Sequence, residues 1–281
     1  MSSILTNTSA MVALQTLKGI NSDLSKTQSE ISTGKSVANA KDNAAVWAIS
    51  KVMETDQSAF KTIQSNLNVA DAVVSTARSG AEEVTKLLTE MKDLAIGGTN
   101  DAADFDKIQT DIAAKFAQIT SVVNASQLNG INLLATDTGG TVTTEFTVLG
   151  SLDRTNGVPA TTPSAITVAG VDFEGTIVGA APTAISDTTT ATTAIGEIEA
   201  LIDIAVQGAA DLGSAGKRIS DQASFVGKLS DSLKVGIGSL VDADMEEASA
   251  RLQALQTQQQ LGIQALSIAN SSPQNILSLF R

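Results

Sequence analysis

Four carboxylates, Asp242, Asp244, Glu246 and Glu247, fall within the six residues "DADMEE". Their oxygens suit calcium or magnesium, which take hard oxygen ligands. The same acids suit a helix start, where the positive end of the backbone dipole favours Asp and Glu without a metal. The second reading is adopted. "GIGSLV" at 236–241 imitates half of a dinucleotide fingerprint, but that chemistry needs a preceding strand and a βαβ unit. Here the glycines follow a helix-patterned run and read as one small-residue face. The chain has no His and no Cys. Zinc and haem therefore lose their usual ligands, a disulfide scaffold is excluded, and so is the His-Glu-x-x-His metalloprotease arrangement. No catalytic residue, metal or cofactor is expected. Asn7, Asn124 and Asn270 open Asn-x-Ser/Thr sequons, all in or beside helix-patterned runs, and read as chance matches. The Ser and Thr residues of 136–193 could carry O-linked sugars, and exposed composition explains them equally well.

A net charge of -12 without any Lys/Arg cluster repels nucleic acid and anionic membrane surfaces. Neither is expected as a partner. The 42% hydrophobic content is enough for a core, yet with no Tyr, one Trp and seven Phe that core must be built from Ala, Leu, Ile and Val. Trp47 is expected to pack at a domain junction. The opening "MSSILTNTSAMVALQTLKG" lacks a basic region, a continuous apolar run and a small-residue cleavage site, so no cleaved secretory signal is expected. No run approaches the roughly 18 to 20 apolar residues that span a bilayer.

The elements follow from periodicity. Ala10, Leu14, Leu17, Asn21, Leu24, Gln28 and Ile31 step by 4 and 3 in turn, the seam of a coiled-coil strand. The two amides on it either fix register or lie solvated on its weaker side. "STGKSVANAKDN" interrupts the period, and a second seam runs from Ile49 through Val52, Asp56, Ala59 and Ile63. One extra 4-step to Leu67, a stutter, leads on through Ala70, Val74, Ala77, Ala81, Val84, Leu88, Met91 and Ala95. "GGTND" ends that helix. A third carries Phe105, Ile108, Ile112, Phe116, Ile119 and Val123.

Between Ala135 and Ala194 the chain turns Thr-, Gly- and Ala-rich. Val142, Thr144, Phe146 and Val148 alternate as a strand does, and "AITVAGVDFEGTIV" offers further short strands. From Ile195 to Leu240 strict 3,4 stepping resumes, predicting a helix of roughly 70 Å at about 1.5 Å per residue. Gly208, Gly213, Gly216, Gly227, Gly236 and Gly238 interrupt it, each weakening a helix by about 1 kcal/mol relative to Ala. Neighbours must hold it straight. "VDADMEE" breaks the run, and a last seam passes through Met245, Ala248, Leu252, Leu255, Gln259, Gly262, Leu266 and Ala269.

The expected fold is mainly α: a long antiparallel helical bundle or coiled-coil rod, with heptad-patterned helices at both ends and a small central β element. Pairing of the end helices would leave Leu261, Ala265 and Ile268 open as a second apolar face. Ile276, Leu277, Leu279 and Phe280 crowd the last six positions, where exposed polar residues are usual. An apolar face and tail of this kind suit burial between copies, and a repeating heterologous contact gives an open helical filament.

"LTNTSAMVALQTLKGINSDLSKTQSEISTGKSVANAKDNAAVWAIS" resembles the N-terminal region of bacterial flagellins. "AADLGSAGKRISDQ" and "LVDADMEEASARLQALQTQQQLGIQALSIANSSPQNILSLFR" resemble the C-terminal region. The likeness covers residues 3 to 133 and 190 to 281, and "VWAIS" points to the flagellins of alphaproteobacteria. It implies an extracellular filament subunit used in swimming, exported by the flagellar type III apparatus. It also implies terminal helices that fold on assembly, a filament cap, hook-associated neighbours, and an export chaperone at the C-terminal region. On this resemblance 1–43 is an N-terminal assembly helix of the inner tube and 44–134 the N-terminal part of the helical core. Residues 135–193 form a variable surface segment, 194–241 the C-terminal part of the core, and 242–281 a C-terminal assembly helix.

The assembly interface is expected at Leu14, Leu17, Leu24 and Ile31, packing against Leu252, Leu255 and Leu266, with Leu261, Ile276, Leu277, Leu279 and Phe280 turned to neighbouring copies. Alternatives are a hook-filament junction protein, or an adhesin displayed on the same scaffold through residues 136–193. Where many flagellins carry the stretch read by an innate immune receptor of animals, this chain has "TEMKDLAIG" at Thr89 to Gly97. Leu94 keeps that pattern's leucine, but Glu90 replaces an arginine and inverts a charge. Purified protein is therefore expected to evoke weak or no signalling in receptor-reporter cells, and strong signalling would contradict that.

Overall fold

The computed structural model describes residues 7–135, 145–152, 154–155, 158–159 and 164–278. The protein is mainly α, and the chain divides into two compact units. Unit 1 comprises Met1–Thr55 and Ser232–Arg281, and unit 2 comprises Asp56–Asp231. Helices α1 (Thr8–Thr33) and α5 (Met245–Ser278) belong to unit 1 and α3 (Phe105–Ala125) to unit 2, while α2 (Ala44–Gly97) and α4 (Thr188–Val241) each contribute to both.

In unit 2 the heptad pattern of α2 becomes a buried seam. Ile63, Leu67, Ala70, Val74, Ala77, Ala81, Val84, Leu88, Met91 and Ala95 are all buried, so the 4-step at Leu67 keeps the apolar side facing inward. Helix α4 runs antiparallel to it, with Gly213 near Arg78, Gly216 near Val74 and Gly227 near Gln64. Ile198, Ala205, Leu212, Ile219, Ala223 and Val226 supply its buried side. Helix α3 starts at the cap Asp104, whose carboxylate accepts from the Lys107 amide. It buries Ile112, Ile119 and Val123, and Lys115 Nζ donates to Glu90 Oε2 of α2 at 2.5 Å.

Beyond α3 the periodicity gave no warning of a hairpin. Strands β1 (Gln127–Leu128) and β2 (Ile131–Asn132) pair around Asn129 and Gly130, with φ of 53° and 79°. Asn-Gly is the dipeptide best able to occupy such a left-handed two-residue turn. Asn132 is fully buried and bonded through both ends of its amide: its Nδ2 donates to the Val123 carbonyl at 2.8 Å and its Oδ1 accepts from the Leu134 amide at 2.9 Å.

Strand β3 (Glu145–Leu149) comes next, and β4 (Arg154–Thr155) pairs with β5 (Val158–Pro159). Strand β3 pairs antiparallel with β6 (Ala165–Ala169), setting buried Val148 against Ile166. Phe146 and Val148 alternate as expected, while Val142 and Thr144 lie outside the described residues. Arg218 Nη2 donates to the Thr167 carbonyl at 2.6 Å and Gln222 Nε2 to the Gly150 carbonyl at 2.8 Å, tying this ribbon to α4.

Two expectations are corrected. "AITVAGVDFEGTIV" holds one strand only, because Glu174–Val178 winds into a π-helical turn. The Val171 amide donates to the Leu133 carbonyl and the Phe173 amide to that of Leu134, so the segment docks on the chain after β2 and buries Phe173 and Ile177 completely. Helix α4 also starts seven residues before Ile195, at Thr188, behind the cap Asp187, whose Oδ1 accepts from the Thr190 amide at 2.8 Å. Apolar stepping cannot mark a first turn made of Thr.

The glycines of α4 are not equivalent. A Cβ on Gly208 would lie 2.7 Å from Cε1 of the buried Phe173, whereas one on Gly196 would meet no atom within 4 Å. Gly196→Ala is therefore expected to raise stability by up to about 1 kcal/mol through helix propensity. Gly208→Ala should lower it, since overpacking a filled core costs about 1 to 3 kcal/mol. Urea unfolding of the two variants, followed by circular dichroism, checks the opposite signs.

Candidate assembly interface

Helices α1 and α5 pack against each other in unit 1. Asn7 Nδ2 donates to the Ala269 carbonyl at 2.8 Å and Gln259 Nε2 to Asn21 Oδ1 at 2.7 Å, while Lys35 bridges Asp242. Contact positions thus fall on one helix as they rise on the other, so the pair is antiparallel. Asn7 also caps α1, its Oδ1 accepting from the Ala10 amide at 3.1 Å. That double use accounts for an Asn here without a sugar. Gly262 lets the helices approach: a Cβ there would lie 3.1 Å from Leu17 Cδ1.

On α5 the covered side is the expected one from Ala248 onward, with Ala248 and Leu255 buried and Leu252, Gln259, Gly262, Leu266 and Ala269 half-buried, whereas Met245, expected to open the seam, is 43% exposed. On α1 the stripe is rotated from the expected position. The covered residues are Ala10, Ala13, Leu17, Ile20, Leu24, Thr27, Glu30 and Ile31, so Leu17, Leu24 and Ile31 lie on the seam while Leu14, Asn21 and Gln28 do not. Leu14 is 44% exposed. Either phase satisfies a 3,4 repeat, and only the partner decides between Leu14 and Ala13. Asn21, on the solvent side, still reaches Gln259. The start of the α2 seam moves as well: Ile49 and Val52 are exposed, and Ser50 takes the buried place. Trp47 is half-buried.

The pair leaves a large apolar surface open. Leu261 and Ile268 are 58% and 70% exposed and Ala265 is exposed on the same face, while Ile263 is exposed on another face of the helix. On α1, Met11 and Val12 are exposed beside Leu14. Periodicity alone did not mark Met11, Val12 or Ile263. Helix α5 includes positions 276 and 277, but the side chains of Ile276 and Leu277, like Leu279 and Phe280 altogether, lie outside the described residues.

The other end of the pair is polar. Gly34 ends α1 in the left-handed region at φ 69°, and its amide donates to the Glu30 carbonyl at 2.8 Å. The Ser36 amide then donates to the Val241 carbonyl at 2.7 Å, and the Ala243 amide to the Gly34 carbonyl at 3.0 Å. These two bonds form an isolated antiparallel bridge. Next to it Asp244 Oδ1 accepts from the Glu246 and Glu247 amides at 3.0 and 3.1 Å, so the acidic run begins a helix. Among the described residues no three acidic groups converge on a common point. "GIGSLV" lies within α4.

Glu54 joins the linker to α2. It accepts from Lys51 Nζ at 2.6 Å and from Lys35 Nζ at 3.3 Å. The Lys51 hydrogen bond, with Lys35 beside it, holds its carboxyl below the ordinary glutamate value. In unit 2 the Lys115 hydrogen bond likewise lowers Glu90, and Glu90 and Leu94 are half-buried on α2.

Charge is divided unevenly between the units. Unit 1 carries eight basic and eight acidic residues, whereas unit 2 carries ten basic and twenty-two acidic. The whole excess of negative charge belongs to unit 2.

Long paired terminal helices with a helical core and a small β segment define a mainly α protein whose terminal helices expose apolar side chains. The family model of the bacterial flagellin N-terminal helical region matches residues 4–138, and that of the flagellin C-terminal helical region matches residues 195–280. A flagellin of Brucella melitensis is 41% identical, each chain covered in full. Flagellin FljM of Caulobacter vibrioides is 37% identical over all of this chain and 99% of its own, and flagellin A of Rhizobium meliloti is 35% identical with both chains covered completely. The chain belongs to the bacterial flagellin family, as the residues at its two ends indicate.

The Glu54 geometry gives a pH test. A carboxyl lowered in the folded state stabilises above its unfolded pKa, and the contribution is lost as pH falls through the folded value. Glu54→Gln is expected to lower the unfolding midpoint of wild type at neutral pH. The gap should close as pH drops below the ordinary glutamate range, and parallel thermal melts across pH check it.

Proposed function

We infer that the chain is a structural subunit of the bacterial flagellar filament. The observation that carries this is the match of both terminal regions, in order, to flagellin family models. We propose that polymerisation runs through the α1–α5 pair, with Leu17, Leu24, Ile31, Leu252, Leu255 and Leu266 holding the two helices together. Leu14, Leu261, Ile276, Leu277, Leu279 and Phe280 then meet neighbouring copies. The exposure of Leu14, Leu261 and Ile268 supports this division, since an apolar surface left open by one subunit gains most by being covered in a lattice.

On this reading 1–43 and 242–281 form the inner assembly helices, 44–134 and 194–241 the core, and 135–193 a surface segment. The role is structural, without catalysis. The filament is extracellular and its subunit is exported through the flagellar type III apparatus. Its other partners are the filament cap, the hook-associated proteins and an export chaperone bound to the C-terminal region. Among the described residues no helix is long and apolar enough to cross a membrane. The inverted charge at Glu90 and its engagement by Lys115 support weak recognition by the animal receptor.

Leu255 is the most covered apolar side chain among those assigned to the pair. Truncating a buried Leu to Ala costs about 2 to 5 kcal/mol, and in a polymer the cost recurs in every subunit. Leu255→Ala, and separately removal of the last six residues, is expected to abolish filaments in negative-stain electron microscopy while the soluble protein keeps the helix content of unit 2. Filaments of normal length from either variant would overturn the assignment.

A further inference from the structure

The α1–α5 seam repeats every seven residues, so its apolar contacts alone do not forbid one helix from sliding a heptad along the other. Such a slide would leave Leu24 opposite Ala248 or Gly262 instead of Leu255. Leu255 faces Leu24 because this pair stands one heptad on from Leu17 and Gly262, which touch. Something aperiodic must select one register.

Two features are candidates. The Asn21–Gln259 bond would be lost in a slide, since Asn21 would then face Leu252 or Leu266. That bond is exposed, however, and water replaces a lost partner there at little cost. The backbone bridge at Lys35 and Asp242 differs in kind. It couples the end of α1 directly to the start of α5, and Val241, whose carbonyl accepts from both the amide and the hydroxyl of Ser36, is buried. A heptad slide would leave those groups without their partners, where unmade bonds are costly. The bridge also requires Gly34 at φ 69°, a conformation that disfavours any residue with a Cβ.

We propose that the Gly34–Ser36 and Val241–Ala243 bridge is the positioning element that sets the register of the two assembly helices, and that the apolar seam follows it. The inference builds on the polymerisation reading, but its test reads register and not polymer yield, so the two can fail separately. Because the chain has no Cys, introduced pairs are the only thiols. Ala10→Cys is combined with Ala269→Cys as the native reporter, one heptad on from Leu17 and Gly262, and with Gly262→Cys as the reporter of a slide, so that Leu255 is left intact. Positions a heptad apart are too distant for a disulfide.

Full-length chains are oxidised under assembly conditions in the presence of wild-type filament seeds, and products are scored by mass spectrometry. In the otherwise wild-type chain only the native pair should cross-link. Ser36→Pro with Ala243→Pro removes both bridging N–H donors and should make slid products comparable to native ones. Gly34→Ala meets no atom within 4 Å but pays for its backbone conformation, and should raise slid products roughly tenfold. Asn21→Leu with Gln259→Leu should leave the native pair alone. Native cross-linking unchanged in both bridge variants, whether or not they polymerise, would overturn the proposal, as would sliding in the Asn21 and Gln259 variant with the bridge intact.

Discussion

The contact between α1 and α5 is shallow, and much of the molecule is arranged around that fact. Among the described residues of the two helices only Thr27, Ala248 and Leu255 are buried. Seam positions are otherwise half covered, and several are Ala or Gly. A pair of this kind gains little from its own interface, because hydrophobic stabilisation scales with the apolar area removed from water. On the proposed assembly its order depends on what else touches it: the backbone bridge at one end, and in the polymer the surfaces of other copies. Unit 2 is the opposite case, with Leu67, Leu88, Met91, Ile119, Phe173, Ile198 and Leu212 fully enclosed. One chain therefore combines a part that is folded by its own core with a part that needs company.

Periodicity reads best where both sides of a helix differ strongly in chemistry. The α2 stripe from Ile63 to Ala95 and the α5 stripe from Ala248 to Ala269 are legible residue by residue, including the stutter at Leu67 and the unusual Gln259 and Gly262 on a seam. It reads worst where two phases are equally apolar. On α1 Leu14 and Ala13, or Gln28 and Thr27, are interchangeable as sequence, and the smaller member was covered because the helices approach closely at Gly262. Ile49 and Val52 misled for a related reason: their pattern matched a seam, but Ser50 occupies the buried side.

The open surface of the interface was partly visible as Leu261, Ala265 and Ile268. The backbone bridge was not, since hydrogen bonds between peptide groups leave no mark in side-chain pattern. The one trace was Gly34, a C-terminal helix cap whose left-handed geometry serves the bridge as well. The hairpin at Asn129 and Gly130 was readable in principle from its dipeptide, and the π-helical turn at Glu174 was not, because Thr176, Ile177 and Val178 there suit a strand.

The uneven charge of the two units makes the chain an amphiphile in an electrostatic sense. Residues of unit 1 balance to neutrality, so copies of it meet without net Coulomb work, whereas each unit 2 brings the full excess of negative charge into the lattice. That repulsion acts over a Debye length of about 8 Å at physiological ionic strength and grows in reach as salt is diluted. On the proposed assembly the critical concentration for growth is thus tied to the ionic medium through unit 2 and to apolar contact through unit 1. Environment and sequence can then tune polymer stability along separate axes.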